Sequence, residues 1–143
     1  MSPIHILLIE DNDGDILLTT EALQNGKITN KISVVKDGEK AIDFVNKTGG
    51  YADTESPDLI LLDINLPRRS GQEVLQYIKT NGNLKHIPVI MLTTSSSEKD
   101  INQSYNNYAN CYITKPVEVD DFIDAISKIE DFWISIVKLP SKK

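Results

Sequence analysis

Acidic, hydroxyl and ammonium side chains stand directly after four short apolar runs of the chain. Glu10 and Asp11 follow the first run, and Asp63 follows four apolar residues in a row. Thr93 and Lys115 close two later runs of the same kind. If these runs are parallel strands of one sheet, their carboxyl ends meet at one edge, which is where open α/β sheets place their chemistry. The spacing therefore predicts one site built from distant parts of the sequence.

The residue types in this group indicate cation-assisted phosphoryl chemistry. Three clustered carboxylates repel one another, so without a cation one of them takes up a proton. Mg²⁺ suits such a group, because it is held by one or two carboxylates, water and a phosphate oxygen. The carboxylate of Asp63 can attack phosphorus and form an aspartyl phosphate, while Lys115 supplies positive charge and Thr93 a hydroxyl donor. A lone strand-end aspartate can instead cap a loop, so the prediction depends on the whole group.

The hydrophobic pattern places these residues on alternating strands and helices. Helical spacing follows each of five strand-like runs. These runs are predicted at 4–9, 32–35, 59–62, 87–92 and 110–114. Five βα units predict a doubly wound α/β fold with a parallel sheet and helices on both faces. The fourth helix, near 98–108, has the weakest apolar face, so we expect it to move at low cost.

Size and composition limit the classes of function. The 143 residues, of which 40% are hydrophobic and 25% charged, fit one globular domain. A net charge of −6 disfavours binding to nucleic acid, which requires a basic face. No apolar run approaches the roughly 20 residues of a membrane-spanning helix, and no signal-peptide pattern is visible. The one cysteine, Cys111, fits a core position in a cytoplasmic protein.

Taken together, these residues resemble the receiver domain of two-component response regulators over nearly the whole chain. The resemblance is carried by Glu10, Asp11, Asp63, Asn65, Leu66, Pro67, Gly71, Thr93, Tyr112, Lys115 and Pro116. The intervals from Asp63 to Thr93 and from Thr93 to Lys115, 30 and 22 residues, are those of a single-domain chemotaxis-type regulator. The implied fold is flavodoxin-like, with a five-stranded parallel sheet in the order 2-1-3-4-5.

The resemblance implies that Asp63 is the phosphoacceptor and that a sensor histidine kinase is the donor. Mg²⁺ is expected to bind Glu10, Asp11, Asp63 and the backbone carbonyl of Asn65. The chain would then act as a switch that is set by the charge of one phosphoryl group.

The resemblance also implies roles for the residues after the fourth and fifth strands. Thr93 and Lys115 are the expected catalytic partners. Thr93 and Tyr112 are expected to form a switch pair, in which the tyrosine changes its exposure as the threonine moves and the fourth helix responds. The peptide bond between Lys115 and Pro116 is expected to be cis.

The carboxyl-terminal stretch is expected to lengthen the last helix. Phe132, Ile134 and Val137 fall outside the apolar stripe that would pack on the sheet, so a second face has to be covered. These three residues and Trp133 form the predicted interface of a homodimer that uses the last helix and the fifth strand. Packing within the same domain is the alternative.

We therefore predict a single receiver domain, with a core at 3–130 and a helical extension at 131–140. The fifth strand and the tail resemble the small regulators that include the cyanobacterial phytochrome response regulators, which pair as dimers. This resemblance implies a phytochrome-like or other hybrid sensor kinase as phosphodonor. Output is expected to pass through protein contacts, because no DNA-binding domain is visible.

Two other functions remain open at this stage. A phosphatase of the haloacid-dehalogenase type also uses a strand-end aspartate, but it requires a second acid two residues later, where this chain has Asn65. A receiver-like module that dimerises without phosphorylation is the second alternative, and the intact acids, threonine and lysine disfavour it. The prediction is thus a phosphoacceptor domain and not an enzyme that acts on other substrates.

Overall fold

Strands and helices alternate along the chain. The computed structural model describes residues 4–24, 30–94, 97–118 and 120–121. In chain order, the elements are β1 (Ile4–Ile9), α1 (Asp13–Gln24), β2 (Asn30–Val35), α2 (Gly38–Asn46), a 3-10 turn (Gly49–Tyr51), β3 (Leu59–Asp63), α3 (Gly71–Thr80), β4 (Val89–Thr93), α4 (Glu98–Asn106) and β5 (Cys111–Thr114).

The five strands form one parallel sheet in the order β2-β1-β3-β4-β5, so the predicted flavodoxin-like fold is confirmed. β3 lies in the centre, and every residue of β1, β3 and β4 is buried. This burial explains why these strands are almost entirely apolar rather than alternating. All carboxyl ends lie at one edge of the sheet, which is the arrangement that the site requires.

The core consists of two layers, one on each face of the sheet. α2 and α3 contribute Phe44, Leu75 and Ile78 to the first layer. α1 contributes Leu23 to the second layer, where Cys111 is also buried as a free thiol. The prediction of a core cysteine is confirmed.

Three element ends differ from the sequence prediction by two residues, while β3 and β4 end and β5 begins one residue later than predicted. β2 begins two residues earlier, at Asn30, because its whole length pairs with β1. β4 begins after Pro88, whose nitrogen has no hydrogen to donate to the ladder. α4 ends at Asn106, and Tyr108 follows in a left-handed conformation with φ of 69°.

α4 has little apolar anchoring, as the sequence predicted. Ser104 is its one buried residue, and Tyr105 is 47% exposed. The contact with α3 is polar: Nε2 of Gln72 donates to Oγ of Ser104 at 2.9 Å, and Asn107 donates to Gln72 at 3.2 Å. Hydrogen bonds therefore help to join α3 to α4 and to the residue that follows it.

The predicted helical extension at 131–140 lies outside the described residues. So do the predicted interface residues, which are Phe132, Trp133, Ile134 and Val137. Within the segments that the structure describes, no helix has the length and apolarity needed to cross a bilayer.

Candidate functional site

β1 and β3 run side by side and bring two buried carboxylates to the same edge of the sheet. Ile9 pairs with Leu62, so Glu10 and Asp63 come next in this register. Glu10 is fully buried and Asp63 is 5% exposed, whereas Asp11 is exposed. Each of the three offers a carboxylate oxygen, and these oxygens lie within 4.8 Å of one another. The structure thus brings together the three acids that the sequence singled out.

The ammonium group of Lys115 lies among these acids, and its side chain is only 7% exposed. Nζ is 2.5 Å from Oε1 of Glu10, 2.9 Å from Oδ2 of Asp15 and 3.3 Å from Oδ2 of Asp63. The backbone N–H of Lys115 donates to the carbonyl oxygen of Thr93 at 2.8 Å, which fixes the loop after β5 to the end of β4. A buried positive charge is therefore shared by three carboxylates.

The sequence prediction omits Asp15, which lies in the first turn of α1. Its neighbour in the same turn, Asp13, pairs with Lys36 at 2.6 Å and does not reach the site. One signal in the sequence could have indicated Asp15. Because α1 begins soon after β1 ends, its first turn lies beside the strand-end acids. Negative charge is also favoured at the start of a helix.

Burial and repulsion alter the pKa values of the site. Burial raises the pKa of Glu10 to about 7; hydrogen bonding from Lys115 opposes this rise, and repulsion from Asp63 adds to it. Burial would lower the pKa of Lys115, but hydrogen bonds to two carboxylates and the charge of Asp63 raise it to about 12. The raised pKa of Glu10 lies in the direction expected for one of several crowded acids, while the lysine stays charged.

The charge balance of the cluster shows whether it suits a divalent cation. Oε1 of Glu10 lies 2.5 Å from Nζ of Lys115, but the same ammonium group also pairs with Asp15 and Asp63. One positive charge cannot neutralise several carboxylates, so excess negative charge remains at this edge of the sheet. A hard divalent cation takes oxygen ligands and relieves the repulsion between carboxylates, so the residues present fit such an ion.

The predicted switch residues lie on neighbouring strands. Thr93, at the end of β4, is fully buried and pairs with Thr114 of β5. Tyr112 lies two residues before Thr114, so its side chain is on the same face of the sheet. It is half-buried and packs against the core layer formed with α2 and α3. The Lys115–Pro116 peptide bond that follows is cis.

Gly71 holds the loop after β3 close to the site. Its N–H donates to the carbonyl oxygen of Ile64 at 2.8 Å. A Cβ atom at Gly71 would lie 2.1 Å from the carbonyl oxygen of Asp63, so only glycine allows α3 to begin this close to β3. Asn65, whose carbonyl is a predicted cation ligand, is exposed in this loop.

Comparisons with known proteins agree with this geometry. The sequence model of one protein family, the response regulator receiver domain, matches residues 6–127. Response regulator Rcp1 of Synechocystis sp. is 42% identical over 139 residues, which cover 97% of this chain and 95% of Rcp1.

Two solved structures are similar over nearly the whole chain. One is the phosphorylated cyanobacterial phytochrome response regulator RcpA, with a TM-score of 0.79 and 44% identity over 94% of this chain and 96% of that chain. The other is the Mn²⁺-bound form of response regulator Rcp1, with a TM-score of 0.77 and 43% identity over 92% and 94% of the two chains.

The family match includes all the residues that meet at the carboxyl edge of the sheet. It begins within β1, before the first acids, and ends beyond β5 and Lys115. Receiver domains bind a divalent cation at an acidic pocket, and the group of Glu10, Asp11 and Asp63 is such a pocket. The chain therefore belongs to the family of response regulator receiver domains, the signalling domains of two-component systems.

Proposed function

We propose that this domain accepts a phosphoryl group on Asp63 in a Mg²⁺-dependent reaction, with a sensor histidine kinase as the donor. Receiver domains are phosphorylated by histidine kinases, and the chain belongs to this family. The observation that carries the proposal is the environment of Asp63. Its carboxylate lies within one acidic group, and Oδ2 is 3.3 Å from the ammonium nitrogen of Lys115. A nucleophile, cation ligands and a fixed positive charge thus lie together.

In the proposed transfer, a carboxylate oxygen of Asp63 attacks the phosphorus of the phosphohistidine. A P–O bond forms while the P–N bond breaks. The electron pair of the broken bond stays on the leaving imidazole, whose second nitrogen carries the proton that keeps it neutral. Lys115, whose high pKa keeps it charged, pairs with one phosphoryl oxygen, and the hydroxyl of Thr93 donates to another.

The cation would be held by Glu10, Asp11, Asp63 and the backbone carbonyl of Asn65. We propose Mg²⁺ because all of these ligands are hard oxygen atoms. When bound, Mg²⁺ neutralises charge on the group in transfer. Support comes from the fit of the acidic pocket and from the Rcp1 structure, which is described as an Mn²⁺-bound form.

The signal is proposed to leave the site through the switch pair. Thr93 moves toward the new phosphoryl group, and Tyr112, on the same face of the sheet, changes its exposure. α4 responds because it is weakly anchored, with Ser104 as its one buried residue, and can therefore shift at low cost. The domain processes only the phosphoryl group that it carries, so we propose a signalling switch rather than an enzyme with a separate substrate.

The donor is proposed to be a phytochrome-like or hybrid sensor kinase that works in the cytoplasm. This proposal is supported by the 44% identity to RcpA, which is described as a phytochrome response regulator. A homodimer through the last helix is proposed from the sequence alone. The residues concerned are Phe132, Trp133, Ile134 and Val137. Sedimentation of Phe132→Asp tests it, because loss of the dimer is expected.

The mass of the intact protein tests the proposed function. After incubation with Mg²⁺ and acetyl phosphate, the protein should gain one phosphoryl group, and chelation of the cation should prevent this gain. Asp63→Asn should not gain it. The matched control is Asp58→Asn, an acid just before the same strand at the opposite edge of the sheet, which should gain it fully. Consumption of the donor without a stable gain would indicate a phosphatase, and no reaction a silent module.

A further inference from the structure

Lys115 has more partners than the proposed phosphoryl transfer requires. An ammonium group has three hydrogens to donate, and three carboxylates surround this one. Glu10 and Asp63 have roles in cation binding and transfer, but Asp15 has none. Its Oδ2 is nevertheless closer to Nζ than that of Asp63, at 2.9 Å against 3.3 Å.

We propose that Asp15 is a positioning residue that holds the ammonium group of Lys115 before phosphorylation and competes for it with the phosphoryl group afterwards. This inference rests on the proposed function of Asp63. By retaining part of the positive charge of Lys115, Asp15 disfavours the phosphorylated state and slows phosphoryl gain. Because it adds negative charge beside the acidic pocket, it also strengthens cation binding.

The burial of the three acids indicates which of them can release the lysine. The side chains of Glu10 and Asp63 are 1% and 7% exposed, so an unpaired charge on either would lie away from water. The side chain of Asp15 is 31% exposed. Water can therefore replace the lysine at Asp15, and this contact is the one that Lys115 can give up at the lowest cost when a phosphoryl oxygen becomes available.

The structure offers a matched control for the charge. Asp13 lies in the same first turn of α1 and carries the same charge, but its carboxylate pairs with Lys36 at 2.6 Å. Asp13→Asn and Asp15→Asn therefore remove the same charge from the same turn of the helix. Only the second change removes a contact of Lys115.

Two quantities are measured for the wild type and both variants: the rate of phosphoryl gain at saturating Mg²⁺ with limiting acetyl phosphate, and the affinity for Mg²⁺ by calorimetry. For Asp15→Asn we expect the rate to rise about threefold to tenfold and the Mg²⁺ affinity to fall by a similar factor, as is typical of one partly screened charge near a site. Asp13→Asn should stay within about twofold of the wild type in both quantities.

Opposite changes in the two quantities identify a competing charge, because a merely structural defect would lower both. The inference is overturned if the rate and the affinity fall together in Asp15→Asn, or if the two variants behave alike.

A double-mutant cycle of Asp15→Asn and Lys115→Met in urea unfolding tests the contact without phosphate. If the wild type gains no phosphoryl group, the proposed function of Asp63 fails. The double-mutant cycle and the Mg²⁺ affinities then still test the role of Asp15. A coupling energy between Asp15 and Lys115, together with weaker Mg²⁺ binding by Asp15→Asn, supports the contact with the lysine. The absence of either result overturns the inference.

Discussion

The two edges of the sheet bury polar side chains in opposite ways. At the amino edge, His5 is 5% exposed and its polar atoms all have partners. Nε2 is 2.8 Å from Oγ of Ser33, and Nδ1 is 3.3 Å from the carbonyl oxygen of Ser56. The backbone N–H donates to Asp58 at 2.9 Å. At the carboxyl edge, Glu10 is as deeply buried, yet it shares one ammonium group with two other carboxylates and its pKa is raised to about 7.

This difference shows where the fold gives up stability. The hydrogen bonds at the amino edge satisfy the buried imidazole and backbone N–H of His5, so we expect them to support the structure. The carboxyl edge concentrates negative charge around one lysine and is arranged for groups that arrive later, a cation and a phosphoryl group. Substitutions at the two edges should therefore change the free energy of unfolding in different ways.

The largest effect is expected for Lys115→Met, which removes the positive charge from among three carboxylates. Breaking a buried ion pair at one partner should lower the free energy of unfolding by about 3–5 kcal/mol in cation-free buffer near neutral pH. Urea unfolding measures this loss, and Mg²⁺ should restore part of it. A loss below about 1 kcal/mol, which is typical of exposed pairs, would contradict the view that the acids depend on this lysine.

A gain in stability is expected for Glu10→Gln. The folded-state pKa of Glu10 is raised from 4.5 to about 7, so its protonated form stabilises the fold at acidic pH. This contribution is lost as the pH rises through about 7. Glu10→Gln cannot ionise, so without divalent cations it should exceed the wild type by roughly 2–3 kcal/mol above that pH.

Urea unfolding across this pH range tests the prediction for Glu10→Gln. The difference from the wild type should be small near pH 4.5, the ordinary pKa of the group, and should grow toward pH 7. Saturating Mg²⁺ should reduce or reverse it, because the variant loses a cation ligand. A difference that does not change with pH would show that the charge of Glu10 is not the cause.

A smaller loss is expected at the amino edge for Ser33→Ala. This change removes the hydroxyl partner of Nε2 of His5 and leaves a buried ring nitrogen unsatisfied, which should cost about 1–2 kcal/mol. The matched control is Ser56→Ala, because Ser56 contacts the same ring through its backbone carbonyl and should change little. Equal losses in both variants would mean that the hydrogen bonds of His5 do not stabilise this edge.

The smallest effects are expected for exposed ion pairs, whichever edge they occupy. Lys31 pairs with Glu55 at 3.2 Å near the amino edge, and Lys36 pairs with Asp13 at 2.6 Å near the carboxyl edge. Lys31→Met and Lys36→Met should each lower the free energy of unfolding by less than about 0.5 kcal/mol, and added salt should remove this loss. If Lys36→Met lowered the free energy of unfolding nearly as much as Lys115→Met, burial would not explain the difference between exposed and buried ion pairs.

The fold and the strand-end part of the site follow from local pattern. Apolar runs that end in Glu10, Asp63, Thr93 or Lys115 set both the strands and the edge at which these side chains meet, because parallel strands share one direction. Hydrophobic periodicity and turn residues were sufficient for the strands and their shared edge, whereas the strand order 2-1-3-4-5 was implied by the resemblance to receiver domains.

Features that depend on the distance between separate elements could not be predicted in this way. The contact between Asp15 and Lys115 joins residues 100 positions apart and depends on where α1 begins relative to the loop after β5. The hydrogen bond between Gln72 and Ser104 depends on how α4 lies against α3. The choice of Glu10 as the acid with a raised pKa requires its burial, which the residue type does not reveal.

The most direct test of the central claim is to locate the phosphoryl group. Borohydride reduces an aspartyl phosphate to homoserine, and tandem mass spectrometry of the digested protein then identifies the modified position. After reaction with acetyl phosphate and Mg²⁺, we expect homoserine at position 63, and none when the cation is chelated. Homoserine in place of Asp11 or Asp58, or an unmodified Asp63 in protein that has gained a phosphoryl group, would contradict the assignment.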